Sequence, residues 1–251
     1  MANYTISGIY TLPSLGKIYG EGINPTFTIR SMTTNEEMRR QNPSDRPYKV
    51  LADIIDDCLV DKPGISSYDV CFGDFQFLLH KLRIITYGSD CKIASVCPYC
   101  GEENSGSINL GQLQVHTYTD DLQKYFEFDL PVTKKHIKIR LQTPRMLDEI
   151  ELRNKDLKKK SSGASGDSAF LLNLETIVQT IDGTYPDPIS KTEFLRNLPM
   201  ADTNTILAYS SKLNDSIGID TLLHIDCESC GLDYTSRFRT TTEFFRPSVD
   251  I

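Results

Sequence analysis

The chain has 251 residues, 39% of them hydrophobic and 24% charged, which suits a soluble globular protein of one large or two small domains. Its formal net charge of −7 argues against nucleic acid as the main partner, and no apolar run reaches the roughly 18 residues of a membrane span. The opening MANYTISGIY has neither the basic nor the apolar stretch of an export signal, so the seven cysteines are expected to be thiols or metal ligands in a reducing compartment.

In chain order, residues 1–24 gather Gly, Pro and Ser around LPSLGKIYGEG and read as turns and extended backbone. Thr26-Phe27-Thr28-Ile29 alternates polar and apolar, the pattern of a short strand. Thr33 and Thr34, each with a glutamate three residues on (Glu36, Glu37), offer overlapping capping boxes for a first helix. Ser44 and Asp45 ahead of Pro47 mark a second helix, with Val50, Leu51, Ile54, Ile55, Cys58 and Leu59 on one apolar face. Gly73-Asp74 opens a third, with Phe75, Leu78, Leu79, Leu82 and Ile85 inward and Gly88 as its end. Phe126, Phe128 and Leu130, then Ile137, Ile139 and Leu141, alternate with polar residues and predict an antiparallel hairpin.

Thr143-Pro144 starts a charged helix carrying Met146, Leu147, Ile150 and Leu157, which dissolves into the loop-like KKKSSGASGDS of 158–168. Helical spacing resumes at Ser168 and runs through Phe170, Leu171, Leu174, Ile177, Val178 and Ile181. A turn at 183–188 precedes a short helix framed by Ser190 and Glu193, and Asp202 is expected to cap a last helix carrying Ile206, Tyr209 and Leu213. The fold class is therefore α+β, helix-rich with small antiparallel β elements.

The cysteines carry the strongest signal. ASVCPYCGEEN (94–104) and HIDCESCGLDY (224–234) share one layout: a β-like run, CxxC, Gly, a polar turn and a second β-like run. That is the layout of a zinc knuckle, and Cys97, Cys100, Cys227 and Cys230 would supply the four thiolates of a closed structural Zn2+ site. Such a site has no open position for water, so its contribution is to stability, on the order of 10 kcal/mol in small metal-dependent folds. Residues 101–226 lie between the pairs, so the result would be a split zinc-ribbon, tolerable because loop-closure entropy grows slowly with length. The two pairs could also meet across subunits.

A redox CxxC would open a helix in a βαβ setting, and one pair would suffice. Paired core cysteines fit one CxxC better than two matching CxxCG copies. A nucleic-acid zinc ribbon fits the ligands but not the flanking Glu102, Glu103, Asp226 and Glu228. Cys58 and Cys71 read as buried thiols, Cys91 as a spare ligand candidate, and His224 as a surface strand residue.

The chain has no HExxH, Walker loop or GxSxG. Asp53, Asp56, Asp57 and Asp61 read as a solvated acidic face, and Lys158–Lys160 as a soluble linker. Nothing assembles a nucleophile, a base and an orienter, so no catalytic residue, small-molecule substrate or organic cofactor is assigned. The expected organisation is an N-terminal extended segment plus helices (1–90), the split zinc-ribbon module (91–118 with 222–251), and a β-hairpin plus helical insertion (119–221).

LPSLGKIYGEG, RSMTTNEE (30–37), DDCLVD (56–61), FGDFQFLLHKLRIITYG (72–88), CPYCGEE, FLRNLPMAD, CESCG and the terminal FFRP occur here in that order. In this combination, over about residues 10–247, the chain resembles the baseplate hub proteins of T4-like contractile-tailed bacteriophages. The resemblance implies a non-enzymatic part of the tail machine, made in the host cytoplasm and acting with other phage baseplate and hub proteins in the virion tail baseplate. It carries metal-ligand roles onto Cys97, Cys100, Cys227 and Cys230 and brings no catalytic residue. An assembly chaperone or catalyst that leaves before the particle is complete is the second reading. Leu12, Ile18, Tyr19, Phe244 and Phe245 lie in turn-rich or terminal segments and are expected either to dock on neighbouring proteins or to belong to the core.

Overall fold

A computed structural model describes residues 5–61, 63–160, 168–238 and 242–245. It opens on β1 (Ser7–Thr11), antiparallel to β2 (Thr26–Arg30) in a register running from Ser7 opposite Arg30 to Thr11 opposite Thr26. The second strand follows the alternation read from the sequence; the first, carrying Gly8 between Ser7 and Ile9, has no such pattern and is defined by its partner. α1 (Thr34–Arg40) begins at the predicted capping box: Thr33 Oγ1 accepts from Asn35 N–H, and Glu36 reaches back to Thr33 N–H. α2 (Pro47–Cys58) has its proline in the first turn and buries Ala52, Ile54, Ile55 and Cys58. α3 (Phe72–Tyr87) ends on Gly88 at φ 88, a backbone conformation that favours glycine.

These elements enclose the first core, in which Phe27, Ile29, Ile54, Ile55, Phe75, Leu78 and Leu82 interlock. Leu12, Phe244 and Phe245 belong to it, at 0%, 2% and 2% exposure, so they are core residues and not a docking surface. The half-buried Ile18 and Tyr19 also pack inward. The LPSLGKIYGEG segment is held by polar chemistry as well. Asp74, buried in the first turn of α3, accepts from Ser14 N–H (2.9 Å), Ser14 Oγ (2.5 Å) and Tyr19 Oη (2.6 Å), while Tyr19 Oη accepts from Cys71 N–H. Arg83, on the same helix, donates from Nε to the Phe244 carbonyl (2.7 Å) and from its other nitrogens to Gly88 and Asp90 carbonyls.

The chain then forms β3 (Asp90–Val96) and β4 (Glu103–Asn109), a hairpin, followed by β5 (Val115–His116). The expected second hairpin is present as β6 (Glu127–Asp129) and β7 (His136–Ile139). α4 (Pro144–Lys160) and α5 (Ser168–Ile177) follow; Lys158–Lys160, read as the start of a loop, continue α4, Ser168 opens α5, and the rest of that loop reading, 161–167, lies outside the described residues. Helical spacing predicts α5 to continue to Ile181, but Val178–Ile181 is strand β8, paired with β7. The β-branched Val178, Thr180 and Ile181 complete a three-stranded sheet there, and pairing with β7 overrides a periodicity that short apolar runs satisfy either way.

α6 (Pro188–Arg196) is capped by Asp187, whose carboxylate accepts from Ile189 and Ser190 N–H, not by Ser190. α7 (Met200–Asp215) is preceded by Pro199, and Asp202 lies within its first turn. The Asp202 carboxylate is turned away from its own helix onto the N–H groups of Val132 and Thr133 (2.8 and 3.0 Å). β9 (Gly218–Ile219) pairs with β5, and β10 (Leu222–Asp226) with β11 (Asp233–Arg237). Gly218, at φ 114, lies against Gly73, where an added Cβ would fall 2.1 Å from the Ile217 carbonyl oxygen. That contact seats the start of α3 on the return strand that leads into β10. A second core, around Leu130, Ile137, Ile139, Leu174, Val178, Ile206 and Leu213, fills the middle of the chain.

Candidate metal centre

The two CxxC pairs occupy the tips of the β3–β4 and β10–β11 hairpins, in loops closed by the pairs Val96–Glu103 and Asp226–Asp233. Each loop uses the same backbone chemistry. Cys97 N–H donates to the Glu102 carbonyl and Gly101 N–H to the Cys97 carbonyl; Cys227 N–H donates to Leu232 and Gly231 N–H to Cys227. Gly101 and Gly231, at φ 80 and 72, supply the left-handed residue after the second cysteine that an L side chain would strain.

The tips meet. All four sulfurs lie within 4.8 Å of one another, with Cys97 Sγ 3.9 Å from Cys230 Sγ and Cys100 Sγ 3.6 Å from Cys227 Sγ. A zinc–sulfur distance of about 2.3 Å gives a tetrahedron whose edge is about 3.8 Å, so the sulfur spacing suits one tetrahedral ion. Among the described residues this is the one group of three or more such donors close enough to hold a metal. Soft thiolates in a set of four suit Zn2+, and the two sequence-predicted pairs come together within one chain. The first cysteine of each pair is buried and the second is at the surface.

The local electrostatics are uneven. Cys227 is lowered to about 6, first by the Cys230 N–H and then, against desolvation, by the Asn104 amide. The Glu102 N–H favours the Cys100 thiolate, yet partial desolvation and the neighbouring sulfurs push the Cys100 thiol up to about 12. A bound cation would remove that opposition by neutralising the crowded sulfurs.

The other candidates are elsewhere. Cys58 and Cys71 are buried thiols, each raised to about 12 by desolvation. Cys91 belongs to the first core and is no spare ligand; desolvation raises it too. His224 is an exposed residue of β10. The acidic residues of α2 and of the segment just after it are separately engaged: Asp53 pairs with Lys49, Asp57 with Arg39, Asp56 accepts from Ser66 and Ser67, and Asp61 from Thr28. A groove of about 1140 Å³ contains a His116–Asp220 pair 3.6 Å apart. Among the described residues no hydroxyl or thiol is hydrogen-bonded to that imidazole.

Spacing did not announce Asn104 and Tyr234. Asn104 Nδ2 lies 3.5 Å from Cys227 Sγ, its Oδ1 accepts from Glu228 N–H (3.2 Å), and Tyr234 Oη meets Ser95 Oγ at 2.5 Å. The available signal was positional: both residues stand four places after the second cysteine of their pair.

Fold and site together define an α+β protein in which two hairpins, distant in sequence, converge on a four-cysteine cluster. The chain belongs to the T4 bacteriophage base plate protein family, whose model matches residues 1–246. No curated protein and no solved structure matches it.

Proposed function

We propose that this chain is a non-enzymatic structural component of the baseplate hub of a contractile-tailed phage, made in the host cytoplasm and built into the tail baseplate with other baseplate and hub proteins. The observation that carries the reading is the family match over nearly the whole chain. The metal reading is that Cys97, Cys100, Cys227 and Cys230 hold one structural Zn2+, which the sulfur spacing supports. When bound, zinc supplies a cross-link between β3–β4 and β10–β11. The chain's own contribution is to aim two pairs of sulfurs from rigid hairpin turns at one point. The same reading divides the chain into 1–90, the split module 91–118 with 222–251, and the insertion 119–221, with no nucleic acid or small-molecule substrate as partner.

Quantitative mass spectrometry of purified phage particles tests the role. A fixed stoichiometric amount in the finished tail is expected. Presence in assembly intermediates but absence from finished particles would replace the hub-subunit reading with that of an assembly chaperone or catalyst.

A further inference from the structure

The two knuckles share their CxxCG turn, and one of the positions at which they differ bears on the sulfurs. Asn104 on β4 and Tyr234 on β11 are positional equivalents, and each crosses to the opposite hairpin. Tyr234 reaches a hydroxyl, Ser95 Oγ, whereas Asn104 reaches a sulfur, Cys227 Sγ. We propose that Asn104 is a positioning residue of the metal centre: its amide joins the two hairpins and holds the Cys227 sulfur in place by donating to it. The inference rests on the zinc reading of the cluster and assigns a role within it.

The orientation of the amide follows from its neighbours. Glu228 N–H can only donate, so Asn104 Oδ1 must face it, and the NH2 group is left facing Cys227 Sγ and Tyr234 Oη (3.3 Å). One side chain of the N-terminal hairpin thus fixes both the backbone and the sulfur of the C-terminal knuckle. Four thiolates around a divalent cation leave an excess of negative charge on the sulfurs. A donated N–H draws part of that charge from Cys227 and restricts the sulfur's direction, as outer partners of metal ligands do elsewhere. The contact also bears on assembly of the site, because the hairpins carrying the two ligand pairs are far apart in the chain. Asn104 and Tyr234 give them a polar junction that does not itself require the ion.

The test uses the full chain as wild type, Asn104→Ala, Asn104→Asp and Tyr234→Phe. Zinc affinity is measured by competition with a chromophoric chelator, and the sulfur-to-metal charge-transfer band is recorded after loading with Co2+. Asn104→Ala should bind zinc about 10- to 100-fold more weakly and shift the charge-transfer band. Asn104→Asp is isosteric and still accepts from Glu228, but it turns a carboxylate oxygen toward the sulfur, so it should lose at least as much affinity. Tyr234→Phe removes the inter-hairpin hydrogen bonds to Ser95 and Asn104, neither of which involves sulfur, and should lower stability while leaving the band in place. Asn104 variants within about twofold of wild type, with an unmoved band, overturn the assignment. If the wild-type chain takes up neither ion, the zinc reading itself fails; if only the variants match wild type, the role of Asn104 alone fails.

Discussion

Replacing Asp74 by alanine isolates the contact that fastens the N-terminal segment to the rest of the fold. Asp74 is fully buried and accepts from Ser14 N–H, Ser14 Oγ and Tyr19 Oη, at 2.9, 2.5 and 2.6 Å. Truncation leaves those three donors facing a void. Each buried group left unsatisfied costs about 1–3 kcal/mol, while relief from desolvating the carboxylate returns part of the loss. A net destabilisation of about 4 kcal/mol is expected, a large share of the roughly 5–15 kcal/mol that holds a domain together. Asp74→Asn should cost less, because its NH2 can face the two hydroxyls, which rotate to accept, while its oxygen keeps the Ser14 N–H. Urea unfolding followed by far-UV circular dichroism gives both values, and the absence of tryptophan rules out its fluorescence as the probe. Ser14→Ala should cost far less in the Asp74→Ala background than in wild type, since its hydroxyl then has no carboxylate to lose. A stability for Asp74→Ala within about 1 kcal/mol of wild type, or additive single and double variants, would refute the reasoning.

Two further outcomes are expected. Cys227→Ser leaves three thiolates and should weaken zinc binding by more than the roughly 100-fold lost with an outer partner, with a matching fall in the urea midpoint of the zinc-loaded protein; an unchanged midpoint counts against the clasp. His80 is buried between Phe244 and Phe238, with ring centroids at 4.8 and 5.8 Å, and burial holds its imidazole down at about 4. The unfolded chain therefore takes up a proton near pH 6.5 that the native chain refuses until about 4. Stability should be fully present above pH 6.5 and fall as pH drops toward 4, by up to about 3 kcal/mol. His80→Phe should flatten that slope in denaturant titrations at successive pH values, and an unaltered slope would show that the acid sensitivity arises elsewhere.

What could be read from the sequence was what depends on neighbours in the chain. Thr33 and Glu36 are three residues apart and make their capping box whatever surrounds them. Pro47 sits in a helix start because its fixed φ and missing N–H suit the first turn and few other helical positions. The two CxxCG segments fold into matching turns because glycine at the left-handed position is a local demand. The errors came where a distant partner decides. Val178–Ile181 has apolar residues that suit a helix or a strand, and the edge of β7 selects the strand. Asp202 stands where a helix cap was expected, but the N–H groups of Val132 and Thr133 take its carboxylate. Phe244 and Phe245 lie close to the C-terminus, and nothing local reveals that Arg83 holds the Phe244 carbonyl inside the first core. Convergence of the four sulfurs was the exception, a long-range contact legible because thiolate chemistry demands a set of four.

Buried charges help tie the fold together. Asp74, Asp148, Asp202 and Arg83 are buried charged side chains, and each is satisfied by a segment far away in sequence. Asp148 on α4 accepts from Lys49 N–H at the start of α2 (2.9 Å) and from Tyr68 Oη (3.0 Å), while Arg83 holds a residue near the C-terminus. A buried charge that loses its partner costs about 3–5 kcal/mol, so a partly opened chain with one latch broken is much less stable than the closed one. Hydrophobic burial alone would not enforce this, because apolar surfaces can slide and repack with small losses. The latches instead make opening of either terminal region costly from its first step. An ion held by the four cysteines, as proposed, would extend the same logic to the two hairpins, since it would be lost when either moves away.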